Sequence, residues 1–254
     1  MKQLALIVFC LAATACELRK PSFPADRIAA DLRQMAQKDY KLSIETRQKN
    51  GSLQAFFWTV GLMTASEGDM SPKAAESLER VLLCATRIAL STDAALKFVE
   101  VRMADVLTGA TITLWRYVPD IQDSMRSRFG DEEYMNRLVL EVSAEPERLS
   151  DSKGARWEEP ITMAQFLAKQ VVLRAKRQSP VGLQAHEDLS RPDTLTVVID
   201  NWPLIEQEGP QSRQQVEELI ETSARQVLRG YRFTGFSGVE LRDASGLSLG
   251  RWAL

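Results

Sequence analysis

The chain is expected to fold as an α+β protein: repeated helix-strand-strand units whose small antiparallel sheets pack on helices, arranged as two domains. Three observations predict it. Apolar residues recur at helical spacing in several separate stretches. Pairs of short β-rich runs follow them across turn glycines, and one short residue pattern marks three of those pairs. With 44% hydrophobic and 26% charged residues among 254, the chain carries enough apolar material for ordinary cores.

Residues 26–38 place Ile28, Leu32 and Met35 on one helical face. Two strands follow, 42–48 and 52–60, joined through Lys49-Asn50-Gly51, a hairpin signal because Asn-Gly tolerates the positive φ of a tight turn. Ser71-Pro72 then starts a helix running to about residue 90, serine as N-cap and proline in the first helical position. Its apolar stripe is Ala74, Leu78, Val81, Leu82, Ala85 and Ala89. A second strand pair covers 97–105 and 110–118. Beyond Pro119, the spacing of Ile121, Met125, Tyr134, Leu138 and Val142 suggests one or two closing helices. After a charged stretch, 162–177 and 212–228 read as helices, 194–200 as a strand, and 239–242 with 247–253 as a last hairpin.

The expected divisions are a signal peptide at 1–15, a tether at 16–25, a first domain at 26–143 with two helix-hairpin units, a linker at 144–160, and a second domain at 161–254 with a third unit. The linker is charged, contains two prolines and lacks periodicity. The repeated pattern is an apolar residue, Glu, any residue, Arg: Ile44-Glu45-Thr46-Arg47, Val99-Glu100-Val101-Arg102 and Val239-Glu240-Leu241-Arg242. A turn glycine follows each one, and then a tryptophan: Trp58, Trp115 or Trp252. One helix-hairpin unit cannot bury both its helix and sheet faces, so the units should pack together. In a strand the Glu and Arg lie on one side, which reads as a solvated sheet face with modest charge pairing. The other reading makes Glu45, Arg47, Glu100, Arg102, Glu240 and Arg242 an interaction surface.

Signs of catalysis are missing from this sequence. His186 is the only histidine and sits among polar residues, as a solvated loop residue would, so no histidine zinc site or Ser/His/Asp set can be assembled. No glycine pattern for dinucleotide or P-loop nucleotide is present, and Gly230, Gly235 and Gly238 read as bulges interrupting a strand. The densest carboxylates, Asp120, Asp123, Asp131, Glu132 and Glu133, could serve a hydrolase, but Asp120 behind Pro119 reads better as a helix cap. No EF-hand spacing, metal site or cofactor motif is found. With 32 basic against 34 acidic residues, nothing favours nucleic acid as partner. Cys84 shares a helical stripe with Val81 and Ile88 and is expected to be a buried, inert thiol.

The amino terminus gives an address. Lys2 is a short basic region, residues 4–13 are apolar, and Ala13-Thr14-Ala15 precede Cys16, the layout of a secretory signal. Ala-Thr-Ala-Cys16 resembles the lipobox of bacterial lipoproteins, differing at Ala13, where those proteins usually carry Leu. The resemblance implies that Cys16 is acylated, becomes the mature N-terminus and anchors the protein to a membrane. Glu17, in place of the aspartate that retains many such proteins at the inner membrane, implies the outer membrane facing the periplasm. The order of elements resembles the helix-strand-strand modules by which some lipoproteins and secretion-system proteins assemble into rings. The expected function is therefore a non-enzymatic cell-envelope lipoprotein presenting an interaction or assembly surface to a protein partner or to itself. A carrier of an apolar ligand or lipid is the alternative, motivated by Phe56-Phe57-Trp58 and Gly61-Leu62-Met63, which are apolar on both strand faces. A carboxylate-dependent hydrolase comes last.

Overall fold

Among the described residues, four helix-hairpin units, taken two at a time, build two mixed sheets. The computed structural model describes residues 22–64, 70–144 and 157–254; the signal, Cys16 and most of the 144–160 linker lie outside the described residues. Helix α1 (Ile28–Tyr40) buries Ile28, Leu32 and Ala36 and closes on Lys41 in the left-handed region, φ 58°. Strands β1 (Glu45–Lys49) and β2 (Ser52–Thr59) meet at Asn50-Gly51, where φ is 49° and 77°, the double positive φ of a two-residue hairpin turn. Ser71 accepts the Ala74 N–H and Pro72 opens α2 (Pro72–Ser91), which leads into β3 (Phe98–Asp105) and β4 (Ala110–Tyr117).

After α3 (Val118–Met125) and α4 (Asp131–Asn136), the chain forms β5 (Val139–Ala144), a strand where a closing helix was expected. The reason is periodic: Tyr134, Leu138 and Val142 are four apart, a spacing that fits a helix turn and also an even strand period. Sheet order is β1-β2-β3-β4-β5, with β2 and β3 parallel and the other pairs antiparallel.

The second half repeats the plan. Helix α5 (Met163–Gln178) starts with a capping box between Thr162 and Gln165. Then come β6 (Ala185–Asp188), β7 (Thr194–Ile199), α6 (Trp202–Glu208), α7 (Pro210–Gly230), β8 (Gly238–Asp243) and β9 (Ser248–Ala253). The sheet runs β6-β7-β8-β9, with its inner pair β7 and β8 parallel. The α+β class stands, but three details are corrected. The sheets are mixed rather than antiparallel, because a helix separates the two hairpins of each pair and returns the chain in the same direction. There are four units, the extra one being α5-β6-β7. The glycines at 230–238 form the turn leaving α7, where the Phe233 N–H donates to the Leu228 carbonyl, while the bulge lies between Leu241 and Arg242.

Two cores result. The first joins α1, α2 and one face of the five-stranded sheet through Leu32, Leu53, Val81, Val99, Val101 and Ile112. Phe57 and Leu62 belong to it, and Cys84 is buried there with its thiol pushed up by burial and by Asp39. Phe56, on the opposite face, is also buried. Both faces of the Phe56-Phe57 pair are thus covered, whereas Trp58 is 38% exposed. The second core joins α5, α7 and the four-stranded sheet, and it takes in Phe98, Trp115 and Val139 from the first. Helix α5 therefore serves both sheets: Phe166 packs 5.1 Å from the Phe98 ring.

Gly51 is a test of the first hairpin. Its carbonyl accepts the Lys97 and Phe98 N–H groups, and a Cβ there would lie 3.4 Å from the Ala95 carbonyl oxygen. Gly51→Val should lower stability by about 1–3 kcal/mol through backbone strain. An unchanged denaturation midpoint would contradict the turn.

Candidate functional site

Three of the six repeated Glu and Arg residues, Glu100, Arg102 and Glu240, are buried, which corrects the solvated-face reading for them. Strand β3 lies inside the first sheet, and its Glu100 and Arg102 side is covered: Glu100 is 4% exposed and Arg102 6%. Gln54, across the parallel pair, donates to Glu100 at 2.8 Å. Burial pushes the Glu100 carboxyl up, against the opposing pull of Gln54 and Arg102. Arg102 reaches Glu158 at 2.6 Å. Arg47 donates to Gln54 at 2.6 Å and to the Glu158 carbonyl, and stacks 4.8 Å from the Trp157 ring. Lys49 pairs with Glu159 at 2.6 Å. These charges seat residues 157–159 against the sheet. In the second sheet, buried Glu240 pairs with Arg191 and with Arg242. Of the six residues, Glu45 is exposed and Arg47 and Arg242 are half-buried. The three tryptophans do not share a position either: Trp115 lies opposite Glu100, Trp252 opposite Val239 and Trp58 beside Ala104.

The carboxylates of 116–133 also part company. Asp123 pairs with Arg128 at 2.8 Å near the surface. Asp120, 5% exposed, pairs with Arg137 at 2.9 Å and accepts the Tyr231 hydroxyl rather than capping backbone N–H groups. Gln170 donates to the Tyr231 oxygen at 3.0 Å and to the Arg137 carbonyl, while the Arg137 guanidinium lies 4.6 Å from the Phe129 ring. Burial pushes Asp120 up, against Tyr231 and Arg137; burial and the adjacent Asp120 push the Tyr231 hydroxyl up strongly. Perturbed groups often mark active sites, but structural ion pairs perturb them equally. Here each group is engaged by a neighbour, and the cluster ties α3 and β5's approach to α5 and α7.

The open site lies where the two sheets' edges meet over α5. Strand β5 is the last of the first sheet and β6 the first of the second. Between them is a groove of about 250 Å³, with Val172, Leu173 and Lys176 of α5 among its lining and Val142 and His186 on its walls. Lys169 rises from α5 to pair with Glu141 of β5 and Glu187 of β6, at 2.7 Å each. Burial pulls the Lys169 ammonium down, but its two carboxylate partners outweigh this and hold it above its ordinary value. Val142 is 52% exposed. His186 is on a strand rather than in a loop and sits 3.0 Å from Asp200. Among the described residues, no group of three or more His, Cys, Asp and Glu could hold a metal ion, and no helix is long and apolar enough to cross a membrane.

Sequence reading missed this groove because both of its walls were missed. Ala185-His186-Glu187-Asp188 is four residues long and shows no strand alternation. Val139-Leu140-Glu141-Val142, rich in β-branched residues, was the available signal for the other wall. Compared with known proteins, the chain matches no family model, no curated protein and no solved structure.

Proposed function

We propose that the chain is a non-enzymatic bacterial cell-envelope lipoprotein, tethered through acylated Cys16 to the outer membrane and binding a protein partner. The observation that carries the interaction reading is the groove over α5, bounded by two strand edges from different sheets. The buried ionisable groups support a non-catalytic role, since Glu100, Asp120 and Tyr231 are held by Gln54, Arg137 and Gln170. The signal and lipobox resemblance of residues 1–16 support the address.

Fractionation and affinity isolation from solubilised envelopes test the proposal together. Cys16→Ser should leave the membrane fraction; a variant still bound after a carbonate wash would refute the anchor. Val142→Lys with Lys176→Glu should fold normally yet lose the partner that the unaltered protein brings down, and undiminished recovery would refute the groove.

A second reading has one observation in its favour. A cleft of about 520 Å³ at the end of α7 is floored by Leu228, Phe233 and Leu254 and rimmed by Arg225, Arg229 and Arg232, a setting for an anionic amphiphile. Solvent extraction of the protein purified from envelopes would yield a stoichiometric lipid on this reading, and none on the first.

A further inference from the structure

We propose that the outer edge of β5 accepts an extended segment of a partner polypeptide, which adds a sixth strand to the first sheet within the groove over α5. This rests on the interaction reading above and names the form of the partner.

Every open strand edge offers unpaired N–H and C=O groups, and proteins normally guard such edges. The four strand edges among the described residues differ in that respect. Strand β1 carries Glu45, Arg47 and Lys49, and two of these hold residues 157–159. Strand β6 has four residues, three of them His186, Glu187 and Asp188. Strand β9 is broken by a register shift, moving from Leu241 opposite Gly250 to Arg242 opposite Ser248. Its Ala253 carbonyl also accepts Arg225 at 2.8 Å. Among the described residues, strand β5 has none of these guards. All six residues keep unbroken register with β4, it has no proline or glycine, and its one charge, Glu141, is paired with Lys169, which it shares with Glu187. Val142 stands half in solvent beside it.

The groove says what can lie there. Strand addition takes affinity from backbone hydrogen bonds and specificity from alternate side chains. One set of the added strand's side chains would face Val172, which is buried, and Leu173, which is half-buried. Lys169 is already balanced by Glu141 and Glu187, whereas Lys176 has no ionic partner among the described residues. The matching segment therefore alternates apolar residues and carries a carboxylate at the Lys176 end. The opposing wall is β6, whose Ala185, His186 and Glu187 line the groove.

The test is amide hydrogen exchange on the full-length protein with two synthetic probes. One is a capped peptide of alternating Val and Thr ending in Asp. The other has the same length and ending, with proline at its two central positions. The alternating peptide should slow exchange at 139–144 by about tenfold and the proline peptide should not, because proline cannot donate to the ladder. Val142→Lys, which installs the missing guard, should weaken binding by about tenfold while leaving the thermal midpoint unchanged. Lys176→Glu should reverse the preference for an Asp ending over a Lys ending. Protection at β1 or β9 instead of β5, equal protection by both peptides, or none, would overturn strand addition. A partner recovered through the groove without β5 protection would leave the interaction reading standing and remove this one.

Discussion

Replacing Asp120 by alanine should cost about 3–5 kcal/mol, because the change removes the buried one of the two carboxylates that hold the largely buried Arg137 charge. Glu133, on the exposed side at 2.9 Å, remains as partial compensation. Tyr231 would lose its acceptor at the same time. Tyr231→Phe removes only the hydroxyl and should cost about 1–3 kcal/mol, since Asp120 keeps Arg137 and Gln170 keeps the Arg137 carbonyl. The partners come from both halves of the chain, so the loss should also loosen one half from the other. Urea denaturation followed by circular dichroism measures both effects. An Asp120→Ala protein as stable as the parent would mean that the cluster is not what joins α3 to α5 and α7.

The second large effect is at the buried pair in β3. Arg102→Ala should cost about 3 kcal/mol, because Glu100 would lose the cation beside it in a covered site. Changing both residues, Arg102→Ala with Glu100→Gln, should cost less than Arg102→Ala alone, since the uncompensated charge is then absent. Glu100 also predicts a pH dependence. Burial raises its folded value above 4.5, so the stability contributed by its protonated form is present below the unfolded value and lost as pH rises through the folded one. Glutamine cannot ionise. The stability of Glu100→Gln relative to the parent should therefore improve between about pH 4 and pH 7. A difference that is flat or falls over that range would contradict a raised Glu100.

Local structure was legible wherever one residue satisfies one local demand. Asn50-Gly51 supplies two positive φ angles, Ser71 with Pro72 starts α2, and Thr162 starts α5. Long-range burial was not. Glu100 and Arg102 alternate with apolar residues as a solvated sheet face would, and only the packing of residues 157–166 against that side turns them inward. Helix α5 gives the same lesson from its partner side. Its buried residues Phe166, Leu167, Gln170, Val171 and Val172 exceed one stripe because two sheets use it. The groove depends on β5, whose spacing also fits a helix, and on the four-residue β6, so it becomes visible only in three dimensions.

Photo-crosslinking in intact cells tests the central claim, that the partner lies in the groove over α5. A photoreactive residue would replace Val142 or Lys176 in the groove, and Leu107 or Leu204 at exposed positions elsewhere. The account predicts one shared adduct from Val142 and Lys176 and none from Leu107 or Leu204. Adducts from Leu107 or Leu204, with none from the groove, would contradict it.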